Sequence, residues 1–126
     1  MLNLLENLPF DTLAKMLRHR AQISEGKTAF RFLLDDGKET TLTFGELDRR
    51  ASSIAASLAD RHVRGERVLI LMQPGLDYIA AFFACLYAGA IAVPTYPPLN
   101  KRMLERVDAI SKNATPSAAL ISSTVK

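Results

Sequence analysis

From Val68 to Ile121 the hydrophobic period of this chain alternates between strand and helix, and that alternation constrains the fold more than any other feature of its 126 residues. Val68-Leu69-Ile70-Leu71-Met72 is an unbroken apolar run, the pattern of a strand covered on both faces of a parallel sheet. Gln73-Pro74-Gly75 interrupts it, residues 76–88 read as a helix, and Gly89 marks the helix end. Ala90-Ile91-Ala92-Val93 follows as a second strand, and Pro94-Thr95-Tyr96-Pro97-Pro98 leaves the sheet as a stiff segment, because each proline fixes φ and restrains its predecessor. Asn100 is placed to cap a helix reaching Asn113 on a stripe of Met103, Leu104, Val107 and Ile110. Thr115-Pro116 stops it, and residues 118–121 form a third strand.

Connections of this length between strands predict right-handed βαβ crossovers. The expected fold class is therefore α/β, a three-layer Rossmann-like parallel sheet segment with strands near 68–72, 91–93 and 118–121. Ligands of such sheets bind beyond the carboxyl ends of the strands. Those ends are Gln73-Pro74-Gly75, Pro94 to Pro98, and Ser122-Ser123-Thr124.

Ahead of this layer, residues 12–43 predict a helix and a β-hairpin. Leu13, Met16, Leu17 and Ala21 fall on one helical stripe, with Lys15, Arg18 and Arg20 outside it, Pro9 before it, and Asp11 or Thr12 at the cap. Two short β-branched and aromatic runs flank Asp35-Asp36-Gly37-Lys38, a strong hairpin signal. Thr43-Phe44-Gly45-Glu46 has the form of a capping box, in which the Thr43 oxygen accepts the Glu46 N–H and the carboxylate reaches back. The helix it opens carries Leu47, Ala51, Ile54, Ala55 and Leu58 on one stripe.

Composition removes several functional classes. With 48% hydrophobic residues the chain is not a disordered segment. A net charge of +3, spread along the chain, does not indicate a nucleic-acid partner, and the pairs Arg49-Arg50 and Arg61-His62-Val63-Arg64 read as solvated faces. Cys85 is the single cysteine, set among apolar neighbours, so neither a disulfide nor a cysteine zinc site is expected. The apolar stretch after Tyr78 is divided by Gly89 and ended by Pro94, too short for a membrane span. The amino terminus lacks a basic region and a cleavage site, which makes a cytoplasmic location the expectation.

Catalytic chemistry is harder to find. None of the 6 glycines belongs to a GxGxxG or GxxxxGK[ST] pattern. His19 and His62 have no nucleophile or ligand cluster beside them, and Asp35-Asp36 has a sufficient role in its turn. Ser122 to Lys126 offers hydroxyls and a cation at a strand end, and is read as a solvent-facing turn rather than a binding loop. No catalytic, cofactor-binding or metal-binding residue is assigned.

Two blocks nevertheless resemble a known superfamily. Leu42-Thr43-Phe44-Gly45-Glu46-Leu47 is similar to an early Leu-Thr-Tyr-x-Glu-Leu block of the adenylate-forming enzymes, with Phe44 in place of the commoner Tyr. Leu86-Tyr87-Ala88-Gly89-Ala90-Ile91-Ala92-Val93-Pro94 is similar to their Leu-Lys-Ala-Gly-x-x-x-Val-Pro block, with Tyr87 in place of Lys. Residues 91–98 look most like the fatty acyl-AMP ligase branch, beside the long-chain fatty-acid–CoA ligases. The resemblance implies the first part of an adenylating domain spanning 1–126, a fatty acid substrate, and ATP and magnesium in the full-length enzyme. The acceptor it implies is an acyl carrier protein or CoA. It also implies that the phosphate loop, the magnesium-handling acid and the catalytic lysine lie beyond residue 126, on the remaining part of the same polypeptide. The matched residues Thr43, Glu46, Gly89 and Pro94 are then structural, and the chain alone is expected to be inactive and to hold no cofactor. An apolar surface along Leu76, Ile79, Phe83 and Leu86, or at an open sheet edge, is expected to lack cover. A stand-alone binding or interaction module is the main alternative, and a small nucleotide-binding regulator the lesser one.

Overall fold

The computed structural model describes residues 12–95, 101–114, 116 and 118–121. In chain order the elements are α1 (Leu13–Ile23), β1 (Thr28–Leu33), β2 (Glu39–Thr43), α2 (Phe44–Ala59), β3 (Arg67–Leu71), α3 (Leu76–Tyr87), β4 (Ile91–Thr95), α4 (Lys101–Ala114) and β5 (Ala118–Ile121). Asn100, Tyr96 to Pro98, Ser122 to Lys126, and the segment before Thr12 that contains Pro9 and Asp11 lie outside the described residues.

α1 begins where the Thr12 hydroxyl accepts the Lys15 N–H at 3.1 Å. Its apolar stripe is narrower than expected. Leu17 is buried, while Leu13 is 51% exposed, because the helix touches α2 and α3 along a single line. β1 and β2 pair antiparallel, and at their turn the Asp36 carboxylate accepts the Lys38 N–H at 2.9 Å.

The second sheet is parallel, in the order β4-β3-β5. The chain moves one way from β3 to β4 and then crosses back past β3 to reach β5. Right-handed crossovers running in opposite directions put α3 and α4 on opposite faces. Val68 and Ile70 enter the core with Leu58, Val63, Ala81 and Cys85, and Leu69, one residue out of step, is buried on the other face.

The ladder also shows which backbone groups face outward. The Ile91 N–H donates to the Glu66 carbonyl at 2.8 Å, so Ile91, Val93 and Thr95 turn toward β3 and Ala92 and Pro94 turn away. This explains why β4 runs through Thr95 rather than ending at Val93 as the proline suggested. Pro94 lies opposite Ile70, and its missing N–H falls on the side away from β3, so no bond of that ladder is lost. By the same alternation Leu69 and Leu71 turn toward β5, where Leu69 lies opposite Ala119. Ala118 and Leu120 therefore turn toward β3, and Ala119 and Ile121 present complete N–H and C=O pairs to the outside.

α3 is covered more completely than its sequence implied. Ala80 and Ala84 share a cluster with Ala51 and Ala55 of α2, small side chains that let the two helices approach, while Ala81 and Cys85 are buried with Val68 and Ile70 of β3. Phe83 is only 7% exposed, and Leu76, Ile79 and Leu86 pack against the cluster formed by Leu17, Leu42, Leu47 and their neighbours. The hairpin and α1 supply the second side, so the expected bare surface on this helix is absent. Uncovered apolar side chains sit elsewhere: Leu33 is 68% exposed on the hairpin, and Ile91 and Ile121 are 51% and 52% exposed on the outer strands.

Candidate functional site

The mouth of the parallel sheet is built by the segments that follow β3 and β4. β3 ends before Met72-Gln73-Pro74-Gly75, whose proline and glycine stop the ladder and start α3. Pro74, Tyr78, Pro94 and Thr95 enclose a cavity of about 360 Å³ there. A second cavity of about 270 Å³ lies between α2 and α3, with Ile54, Met72 and Ala80 in its wall. A wider groove of about 580 Å³ separates the hairpin, at Phe32 and Leu34, from the first turn of α3. Arg50 and Asp77 stand at both of these last two openings and pair at 3.6 Å. Their side chains are 50% and 74% exposed, so water screens the pair and it adds little stability.

The four residues singled out from the sequence do not form one site. Thr43 and Glu46 complete the capping box at the start of α2, each contact being 3.1 Å. The Thr43 backbone N–H, and then its hydroxyl, hold the Glu46 carboxyl below its ordinary value. Gly89 lies at the opposite end of the sheet. Its φ is +72°, its N–H donates to the Leu86 carbonyl, and the Ala90 N–H donates to the Cys85 carbonyl, a complete Schellman termination. Its own carbonyl accepts the Gly65 N–H at 2.8 Å, tying the entry of β3 to the entry of β4. Pro94 alone reaches the mouth cavity. Gly89→Ala is expected to destabilise the chain by about 1 kcal/mol through the left-handed backbone, and the added Cβ also comes within 3.3 Å of Arg64 Cγ. A urea melt showing no loss would refute that role.

Two contacts were not visible in the sequence. Gly45 occupies the variable position of the first block, yet a Cβ there would stand 2.5 Å from Glu25 Cγ and 3.1 Å from the Glu25 carbonyl oxygen. The Gly45 N–H donates to that same carbonyl at 3.0 Å, so the turn before β1 sits directly on the first turn of α2. Tyr87, noted only as a replacement for Lys, donates its hydroxyl to Asp48 at 2.7 Å. The Arg18 guanidinium lies 4.3 Å from the centre of the Tyr87 ring. One side chain thus joins α1, α2 and α3. Burial first, and the Asp48 hydrogen bond second, raise the Tyr87 pKa above its ordinary value, so it stays a neutral donor. Burial likewise pushes the Cys85 thiol up to about 11, which keeps it unreactive.

The described residues do not fit a magnesium–nucleotide site. Among the described residues no three His, Cys, Asp or Glu side chains gather as metal ligands, and the mouth cavity is walled by two prolines, a tyrosine and a threonine. Among the described residues, too, no helix is long and apolar enough to cross a membrane.

A parallel sheet that reverses direction beside its first strand, with its open cavity at the carboxyl ends, defines the nucleotide-type α/β layer. The family described as AMP-binding enzyme matches residues 17–126, and the chain belongs to that family. It is 41% identical to the medium-chain fatty acid:acyl-carrier-protein ligase JamA of Moorena producens over 115 residues, which are 88% of this chain and 19% of that protein. It is 36% identical to the long-chain fatty acid:AMP ligase FadD23 of Mycobacterium tuberculosis over 118 residues, 90% of this chain and 20% of that one. The crystal structure of a fatty acid AMP ligase from Legionella pneumophila superposes with a TM-score of 0.88 at 39% identity, covering 94% of this chain and 21% of the other. The chain spans about a fifth of the length of these relatives.

Proposed function

We propose that this chain works as part of an ATP-dependent fatty acyl-AMP ligase or fatty-acid–CoA ligase. In this reading a fatty carboxylate is activated as an acyl-adenylate, with ATP and magnesium as the energy source, for transfer to an acyl carrier protein or to CoA. Residues 1–126 contribute one stretch of the adenylating domain: its capped helix pair, and the start of its parallel sheet with the mouth at Pro74, Tyr78, Pro94 and Thr95. The triphosphate, the metal and the proton transfers then depend on residues outside 1–126. The observation that carries the reading is the backbone agreement, at 39% identity and a TM-score of 0.88, with a fatty acid AMP ligase.

The test is a chimera in which residues 17–126 replace the matching stretch of the Legionella pneumophila ligase. Fatty-acid-dependent exchange of pyrophosphate into ATP is expected to persist near the parent rate. A chimera that melts like the parent and has lost exchange would overturn the reading and favour the stand-alone interaction module.

A further inference from the structure

We propose that α1 is a strap that opens and recloses as a unit, and that Tyr87 is the clasp that fastens it. The inference stands apart from the ligase reading and uses only contacts among the described residues. α1 has 11 residues, of which Leu17 alone is buried. Leu17 sits in the cluster with Leu42, Leu47 and Phe83, so one apolar anchor ties the helix to the body of the fold. A helix this short does not keep its own hydrogen bonds in water. Released from α2 and α3, it melts, and its amides report the release.

The second fastening is electrostatic. The Arg18 guanidinium, next to Leu17 in sequence, lies 4.3 Å from the centre of the Tyr87 ring, and the Tyr87 hydroxyl donates to the Asp48 carboxylate at 2.7 Å. A hydrogen bond to an anion pushes electron density into the ring and deepens the negative face that holds the cation. Asp48 therefore pulls on Arg18 through the tyrosine, and α1, α2 and α3 meet in one chain of three side chains. A lysine at position 87 would pair with Asp48 but repel Arg18. The opening also has a defined limit. Just past α1 the Glu25 carbonyl accepts the Gly45 N–H at 3.0 Å, and the Lys27 carbonyl accepts the Phe44 N–H at 2.9 Å, so the turn after Ser24 is pinned to the start of α2. Release stops there and leaves the hairpin, α2 and the sheet in place.

Native-state amide exchange of the 126-residue chain tests this. The interior amides of α1 are expected to exchange together and faster than that of Ile70 in β3. Arg18→Gln changes an exposed side chain that no core contact needs. It is expected to raise the α1 opening constant about two- to fivefold and to leave Ile70 unchanged. Tyr87→Leu is expected to raise it at least as much, and adding Arg18→Gln to Tyr87→Leu to bring no further change, because both remove one interaction. Asp48→Asn keeps an acceptor for the hydroxyl and removes the charge, and is expected to loosen α1 although Asp48 lies on α2. Arg18→Lys, which restores the cation, is expected to recover part of the hold. Amides of α1 that exchange as slowly as Ile70, or an Ile70 amide as fast as those of α1, overturn the strap. An Arg18→Gln variant with unchanged α1 exchange overturns the clasp, as do effects of Arg18→Gln and Tyr87→Leu that add in full, since another contact would then hold the helix.

Discussion

The 126-residue chain on its own is expected to give no fatty-acid-dependent pyrophosphate exchange above a blank without protein. Enzymes lower barriers by roughly 8 kcal/mol or more relative to the uncatalysed reaction, and for transfer at phosphorus nearly all of that comes from cations and donors fixed around the developing charge. The described mouth offers the hydroxyls of Tyr78 and Thr95 between two prolines. Arg50 is the cation at the neighbouring openings, and Asp77 already pairs with it. Neither set can hold a triphosphate in line with a carboxylate. The assay uses purified chain with a medium- or long-chain fatty acid, ATP, magnesium and labelled pyrophosphate. Robust exchange that follows the protein through purification would show that the chain carries a complete active site, and would remove the division of labour proposed for it.

What could be read in the sequence follows from which forces are local. The capping box at Thr43 and Glu46 and the Schellman turn at Gly89 depend on residues a few positions apart, and both form as the pattern predicts. The Val68 to Leu71 run announced a strand covered on two faces, because burial on both sides leaves no polar alternation. Pro94 shows where local reasoning stops. Its ring ends a strand only if its N–H position faces a neighbour, and that depends on the ladder with β3 rather than on the residues around it.

The candidate site was less legible for a related reason. Tyr87 and Asp48 meet across 39 positions of sequence, and the Glu25 to Gly45 contact joins a turn to a helix start that only the hairpin brings together. The helix over 76–87 looked too apolar for a small domain because its partners, α2 and the hairpin, bury it from two sides with alanines that carry no strong periodic signal. Conversely the exposed Leu33 of the hairpin was missed, where a period-2 pattern alone does not say which face meets the core.

Ile70→Ala is expected to cost about 2 to 5 kcal/mol, the range for removing a large aliphatic side chain from a site that cannot collapse. Ile70 is 0% exposed at the centre of β3, between Pro94 of β4 and Leu120 of β5. Its side chain packs in the cluster of Leu58, Val63, Ala81 and Cys85, residues fixed on α2, on the loop that follows it and on α3. A strand held by ladders on both sides cannot shift to fill the void, so the cavity remains and its lining loses dispersion contacts. Against a net stability of about 5 to 15 kcal/mol for a natural domain, that loss is enough to leave a marginal chain unfolded in part at room temperature. Leu33→Ala is the matched comparison: the same kind of truncation on a residue 68% exposed should change stability by no more than about 0.5 kcal/mol. Urea unfolding followed by circular dichroism separates the two, with a lower midpoint and an unchanged slope for Ile70→Ala. If both variants melt alike, the sheet centred on β3 is not the element that holds this chain together.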